Sequence, residues 1–88
     1  MQSILVTYDL CSPGKDYAAL YDKLKSFNVW AKITESTWFI KSDQSCIKIR
    51  DDIKSIIDNN DRIFVAELTG VAAWKNVKCE NEYLKENL

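Results

Sequence analysis

Asp9 closes an apolar run, SILVTYD at residues 3–9, and stands just before the turn that carries the only proline of this 88-residue chain. A carboxylate at the mouth of a central strand has two chemical uses. It can ligate a divalent cation that activates water against a phosphodiester, or it can be a solvated strand end paired with a lysine or arginine. The chain contains no histidine, which removes Ser-His and Cys-His nucleophiles and every imidazole base. Hydrolytic catalysis would therefore rest on carboxylates and a metal, and magnesium suits carboxylate oxygens while keeping waters of its own. Cys11, Cys46 and Cys79 form no C-x-x-C pair. That spacing, without histidine, argues against zinc and suits reduced thiols.

The remaining composition bounds what can surround Asp9. A chain of 88 residues is read as one domain, burying about 60–65% of its unfolded surface. Twelve basic and thirteen acidic residues leave a net charge of −1, so no overall positive field draws in nucleic acid. Lys23 and Lys25 are the nearest thing to a basic cluster. Neither a signal-peptide pattern nor an apolar run of membrane-spanning length is present, and the expected location is cytoplasmic, with no membrane partner.

The elements follow from periodicity. Residues 3–9 read as a buried strand, with Ile4, Val6 and Tyr8 on one face and Ser3, Leu5, Thr7 and Asp9 on the other. Ser12 offers a helix cap and Pro13 a first helical position, and Tyr17, Leu20, Tyr21, Leu24 and Phe27 make one apolar stripe on a helix over 13–27. Strands are expected at 29–34 and 36–42, joined near Glu35, with Trp38 and Ile40 on one face and Thr37, Phe39 and Lys41 on the other. Ser42, Asp43 or Ser45 can cap a second helix marked by Cys46, Ile49, Ile53, Ile56 and Ile57, which stops at Asp58-Asn59-Asn60-Asp61. RIFVAEL at 62–68 is a fourth strand ended by Gly70, and a short helix is expected from about residue 79.

This order predicts an α+β fold, a ferredoxin-like βαββαβ sandwich with an antiparallel sheet ordered 4-1-3-2 and two helices on one face. The core spans 3–68, with a C-terminal extension over 69–88. In this reading the first and third strands lie side by side and parallel, and the fourth runs antiparallel to the first. Asp9 then falls near Lys41 and Arg62. The helix-free face carries Leu5, Thr7, Phe39, Ile63 and Val65, too apolar an area to meet water. A twofold homodimer through that face would cover it; so would the C-terminal segment of the same chain, through Trp74, Tyr83 and Leu84.

A first strand ending in Tyr8-Asp9, a third strand Ser36-Thr37-Trp38-Phe39 after a short turn, and a fourth strand DRIFVAEL resemble the CRISPR-associated Cas-two adaptation proteins and their VapD-like toxin relatives. The similarity covers residues 3–68. The whole chain is also similar to small stand-alone SinR-like bacterial proteins of that superfamily. The resemblance implies a dimer in which Asp9 of each subunit is the magnesium ligand and catalytic carboxylate of a nuclease acting on RNA or DNA, or a structural subunit that bridges DNA. The first helix, KDYAALYDKLKSF, lacks the arginines common there in the family, which speaks against clamping duplex DNA.

RNA-recognition domains share this strand order and stack bases on aromatics, which draws attention to Trp38 and Phe39. Their signature pattern is absent, and packing is the expected role of both, as of Trp30 and Trp74. Asp51-Asp52 beside Lys48 and Lys54 reads as a solvated helix face. Glu67 falls at the far end of the fourth strand from Asp9. Two functions stand at this point: a metal-dependent nuclease using paired Asp9, and a dimeric interaction module of the same fold that binds nucleic acid weakly.

Overall fold

The computed structural model describes residues 1–11 and 17–88. Its elements are β1 (Gln2–Asp9), α1 (Ala18–Lys25), β2 (Val29–Thr34), β3 (Thr37–Ser42), α2 (Cys46–Lys54), β4 (Arg62–Leu68) and α3 (Asn81–Asn87). The protein is thus α+β, with one four-stranded sheet in the order β2-β3-β1-β4. The expected cap at Ser12 and helical start at Pro13 lie outside the described residues.

Every neighbouring pair of strands is antiparallel, including β1 with β3. The parallel β1–β3 pairing expected from sequence is wrong, for a simple reason. Glu35 and Ser36 alone separate Thr34 from Thr37, so β2 and β3 are a tight hairpin of opposite sense. β1 and β2 run the same way, so β3 must oppose both.

Alternation along β1 buries Ile4, Val6 and Tyr8 on one side of the sheet. Opposite them in register stand Ile40 and Trp38 of β3 and Val65 and Ile63 of β4. α1 contributes Leu20 and Leu24, and α2 contributes Ile49 and Ile53, each pair one turn apart on its helix. These side chains form the larger core, with Tyr17, Phe27 and Ile57 packed at its margin just outside the helices. α2 starts at Ser45, whose side chain accepts from the Lys48 amide at 3.1 Å. It ends at Lys54 rather than running through Ile57, and the Ile56 amide closes the last turn on the Ile53 carbonyl.

One buried polar contact sits inside this core. The Trp38 indole donates to the Tyr8 hydroxyl at 2.9 Å. Burial raises the Tyr8 phenol above its ordinary value, against the lowering effect of that bond. The Tyr8 amide donates to the Ser36 carbonyl, fastening the β2–β3 turn to β1.

The second side of the sheet is built differently. Ala31, Phe39 and Leu84 are buried there, surrounded by Ile33, Leu68, Trp74, Val77 and Tyr83. Gly70, at φ +89, turns the chain after β4, and Asn76, at φ 56, shapes the return. The Lys78 amide donates to the Ile33 carbonyl at the irregularity in β2, and Lys78 Nζ meets Glu35 Oε1 at 2.6 Å. The C-terminal segment therefore covers the β2–β3 half of this face within the same chain, as the Trp74–Tyr83–Leu84 alternative expected. No helix among the described residues is long and apolar enough to cross a membrane.

Candidate functional site

The pairing of β1 with β4 puts Asp9 opposite Arg62, and Arg62 Nη1 donates to Asp9 Oδ2 at 2.9 Å. Asp9 is 69% exposed and Arg62 73%, so water screens the pair and its worth is about 0–1 kcal/mol. Arg62 Nη1 also lies 3.5 Å from Cys11 Sγ, which donates to the Asp9 carbonyl at 3.6 Å. Asp9, Arg62, Thr7 and Phe64 border a shallow groove of about 220 Å³.

Arg62 is thus where the sequence puts it, and Lys41 is not. Lys41 pairs with Ser3 of β1 and Val29 of β2, at the other end of the sheet, because β3 runs antiparallel to β1. Glu67 faces Ile4 and stays away from Asp9, as expected. No group of three or more Asp, Glu, Cys or His side chains gathers for a metal among the described residues. Among the described residues, Asp9 is the exposed carboxylate on β1 at this strand end, and water and a second copy would have to complete the shell of a magnesium ion held there.

The composition of the open face also needs correcting. Ile63 and Val65 point to the helix side, packed against the larger core, and Phe39 is fully buried beneath the C-terminal segment. The Asp9–Arg62 register decides this. It sets Thr7 against Phe64 and Leu5 against Ala66 on the half of the face beyond the C-terminal segment, where Leu5, Thr7 and Ala66 are half-buried and Phe64 is open. Phe64 is 62% exposed. Thr7 and Thr37 continue the face toward β3, with their hydroxyls 3.1 Å apart. β4 is also an edge strand, whose outer side has no backbone partner among the described residues.

Behind the site, Asp61 is an anchor that sequence reasoning saw only as a turn former. Its carboxylate accepts from the Cys11 amide at 2.7 Å, the Asp58 amide at 2.9 Å and the Tyr17 hydroxyl at 3.2 Å. Partial burial pushes its pKa up, and the two amides and the phenol outweigh that and hold it below the usual carboxylate value. Asp61 thereby fixes both chain ends that present Asp9 and Arg62. The Asp58–Asp61 cluster signals a turn, but nothing in a local pattern names partners 44 and 50 residues away.

No family model matches the chain, and no solved structure matches it.

Proposed function

We propose that the chain is a ferredoxin-like homodimeric interaction module of the Cas-two and VapD-like superfamily, joined through the uncovered half of its second sheet face. The observation that carries this reading is Phe64, 62% exposed between Thr7 and the outer edge of β4. The sheet order and the two helices over one face agree with that fold. A second copy is the occupant the surface favours. A twofold axis over Phe64 sets apolar surface against itself, while Asp9 and Arg62 at the rim offer each copy an opposite charge to the other. Free thiols at Cys11, Cys46 and Cys79 suit a reducing cytosol.

Phe64→Lys tests the interface. Each buried phenylalanine contributes about 1.5–3 kcal/mol, so losing one from each copy raises a micromolar Kd at least about 100-fold. A monomeric, folded Phe64→Lys variant of a dimeric parent supports the reading. A variant that dimerises as the parent does refutes it.

One observation favours a catalytic second reading: Asp9 lies exposed two register positions beyond the Thr7–Phe64 pair, on the same side of the sheet. A twofold axis shifted from Phe64 toward the strand ends would instead bring two Asp9 carboxylates toward each other, and a magnesium ion between them would relieve their repulsion and supply a water nucleophile. Asp9→Asn is the test. Magnesium-dependent cleavage of RNA or DNA by the parent, abolished in Asp9→Asn with the dimer intact, supports a nuclease; no cleavage by the parent leaves Asp9 as the ion-pair partner of Arg62.

A further inference from the structure

At the opposite edge of the sheet from Phe64, the structure gathers aromatic rings and lysines that lie apart in the sequence. Trp30 is 36% exposed and rests against the buried Trp38, with ring centroids 5.6 Å apart and planes inclined by 42°. Tyr21 of α1 stacks on the same Trp38, with ring centroids 6.4 Å apart. Lys25 Nζ lies 5.8 Å from the Trp30 ring centre, and Lys32 Nζ lies 5.8 Å from both Tyr21 and Trp38. These five side chains line a groove of about 260 Å³ with no carboxylate in its wall. β2 supplies Trp30 and Lys32 to one side of the sheet by simple alternation, and α1 adds Tyr21 and Lys25 one turn apart.

Packing alone explains Trp38, which is buried. It does not explain Trp30 and its lysines. A separation of 5.8 Å is near the outer limit of a cation–π contact, so each ammonium is loosely held there. Lys25 has no carboxylate partner among the described residues, and Lys32 reaches Glu35 only at 3.7 Å. A partly exposed indole beside Lys25, unpaired among the described residues, and Lys32, which shares Glu35 with Lys78, matches a flat ring that carries an anion. A bare phosphate or a peptide carboxylate would use the lysines and leave the indole unused.

We propose that this groove binds a nucleotide unit, its base stacked on Trp30 and its phosphate held by Lys25 and Lys32. The site is independent of Asp9 and of the Phe64 face. Base-paired nucleic acid cannot offer a free base face to Trp30, so the ligand is a free nucleotide or a nucleotide of a single strand. The groove of about 590 Å³ across the β2 edge shares Trp30 and Lys32 and adds Lys78, Tyr83 and the carboxylate of Glu80, which gives a single strand room to continue if its phosphates keep to the lysine side.

The test is a titration of the full chain carrying Trp74→Phe, followed by indole fluorescence, with adenosine monophosphate, a single-stranded oligothymidine octamer and a duplex of equal length. Saturable quenching by the mononucleotide identifies a free nucleotide as the ligand; quenching by the octamer alone identifies a single strand. Either supports the site, provided the duplex binds more weakly. Stacking predicts that Trp30→Ala weakens binding about 5- to 150-fold, followed by anisotropy of a labelled ligand, while Trp30→Phe, which keeps a ring, recovers most of the loss. For the octamer, two phosphate contacts predict a slope of log affinity on log salt of about −1.4, falling to about −0.7 in Lys25→Gln. No quenching by either single-stranded ligand at millimolar concentration overturns the proposal. So does binding that is unchanged in a folded Trp30→Ala variant.

Discussion

The two sides of the sheet solve the same problem with different means. On one side, α1 and α2 lay leucines and isoleucines spaced by four residues onto Ile4, Val6, Tyr8, Trp38 and Ile40, all of which are buried, and leave the β2 edge at Trp30 partly open. On the other, a segment with one short helix and two left-handed turns covers Ala31 and Phe39 and stops before Phe64. Periodic helices make a closed, self-sufficient core. A non-periodic strap leaves an edge, and in this protein the edge is where apolar surface meets Asp9 and Arg62.

If this contrast is right, deleting the same side chain on the two sides should have different consequences. Leu24→Ala opens a cavity in the larger core and should cost about 2–5 kcal/mol, seen as a fall in the denaturant midpoint for the whole chain. Leu84→Ala should fall at the low end of that range and act locally. Hydrogen exchange should speed up in α3 and at the Lys78 amide while β1 stays protected. Equal protection losses in β1 and α3 after Leu84→Ala would show that the two sides form one cooperative unit.

A smaller effect is expected from the polar contact within the helix side. Tyr8→Phe keeps the ring and strips the Trp38 indole of its acceptor, leaving a buried donor unpaired at a cost of about 1–3 kcal/mol. Calorimetry would detect it, and a Tyr8→Phe protein as stable as the parent would mean that water replaces the hydroxyl.

The strap should respond to its hinge. An added Cβ at Gly70 would meet only the Leu88 carbonyl, at an ordinary 3.9 Å, so Gly70→Ala is penalised by φ +89 and not by crowding. The expected loss is about 1 kcal/mol, with exchange rising in residues 71–88 before it rises in the sheet.

Acid should loosen the strap most gently of all. Lys78, and then Lys32, hold Glu35 below the usual carboxylate value. A lowered folded pKa means that the unfolded chain takes up the proton first. The stability involved is therefore in place above the unfolded value, about 4.3, and is lost as pH falls through the folded one. Asp61 behaves in the same sense around an unfolded value of about 3.9. Comparing Glu35→Gln with Asp61→Asn across pH 5 to 2 separates the two: Glu35→Gln should flatten the acid response of the Lys78 amide, and Asp61→Asn that of the loops beside Asp9.

The sequence made one side of this comparison far more legible than the other. Four-residue spacing located both helices, and alternation in β1 and β3 sorted Ile4, Val6, Trp38 and Ile40 from Leu5 and Phe39 correctly. β4 defeated the same rule because both of its faces are apolar: Ile63 and Val65 look as fit for an open face as Phe64 and Ala66, and only the register with β1 separates them. Lys41 was misplaced by a reversed strand sense, which the two-residue hairpin after Thr34 rules out. The Trp30–Lys25–Lys32 cluster was illegible because it joins a strand edge to a helix, and no single periodicity spans both.

The central claim is that the chain covers half of its second sheet face by itself and leaves the Phe64 half to a second copy. Sedimentation equilibrium of the unmodified protein across a dilution series through the micromolar range tests this most directly. The account predicts a dimer that dissociates on dilution and is lost at all concentrations in Phe64→Lys; a parent that sediments as a monomer throughout that range would contradict it.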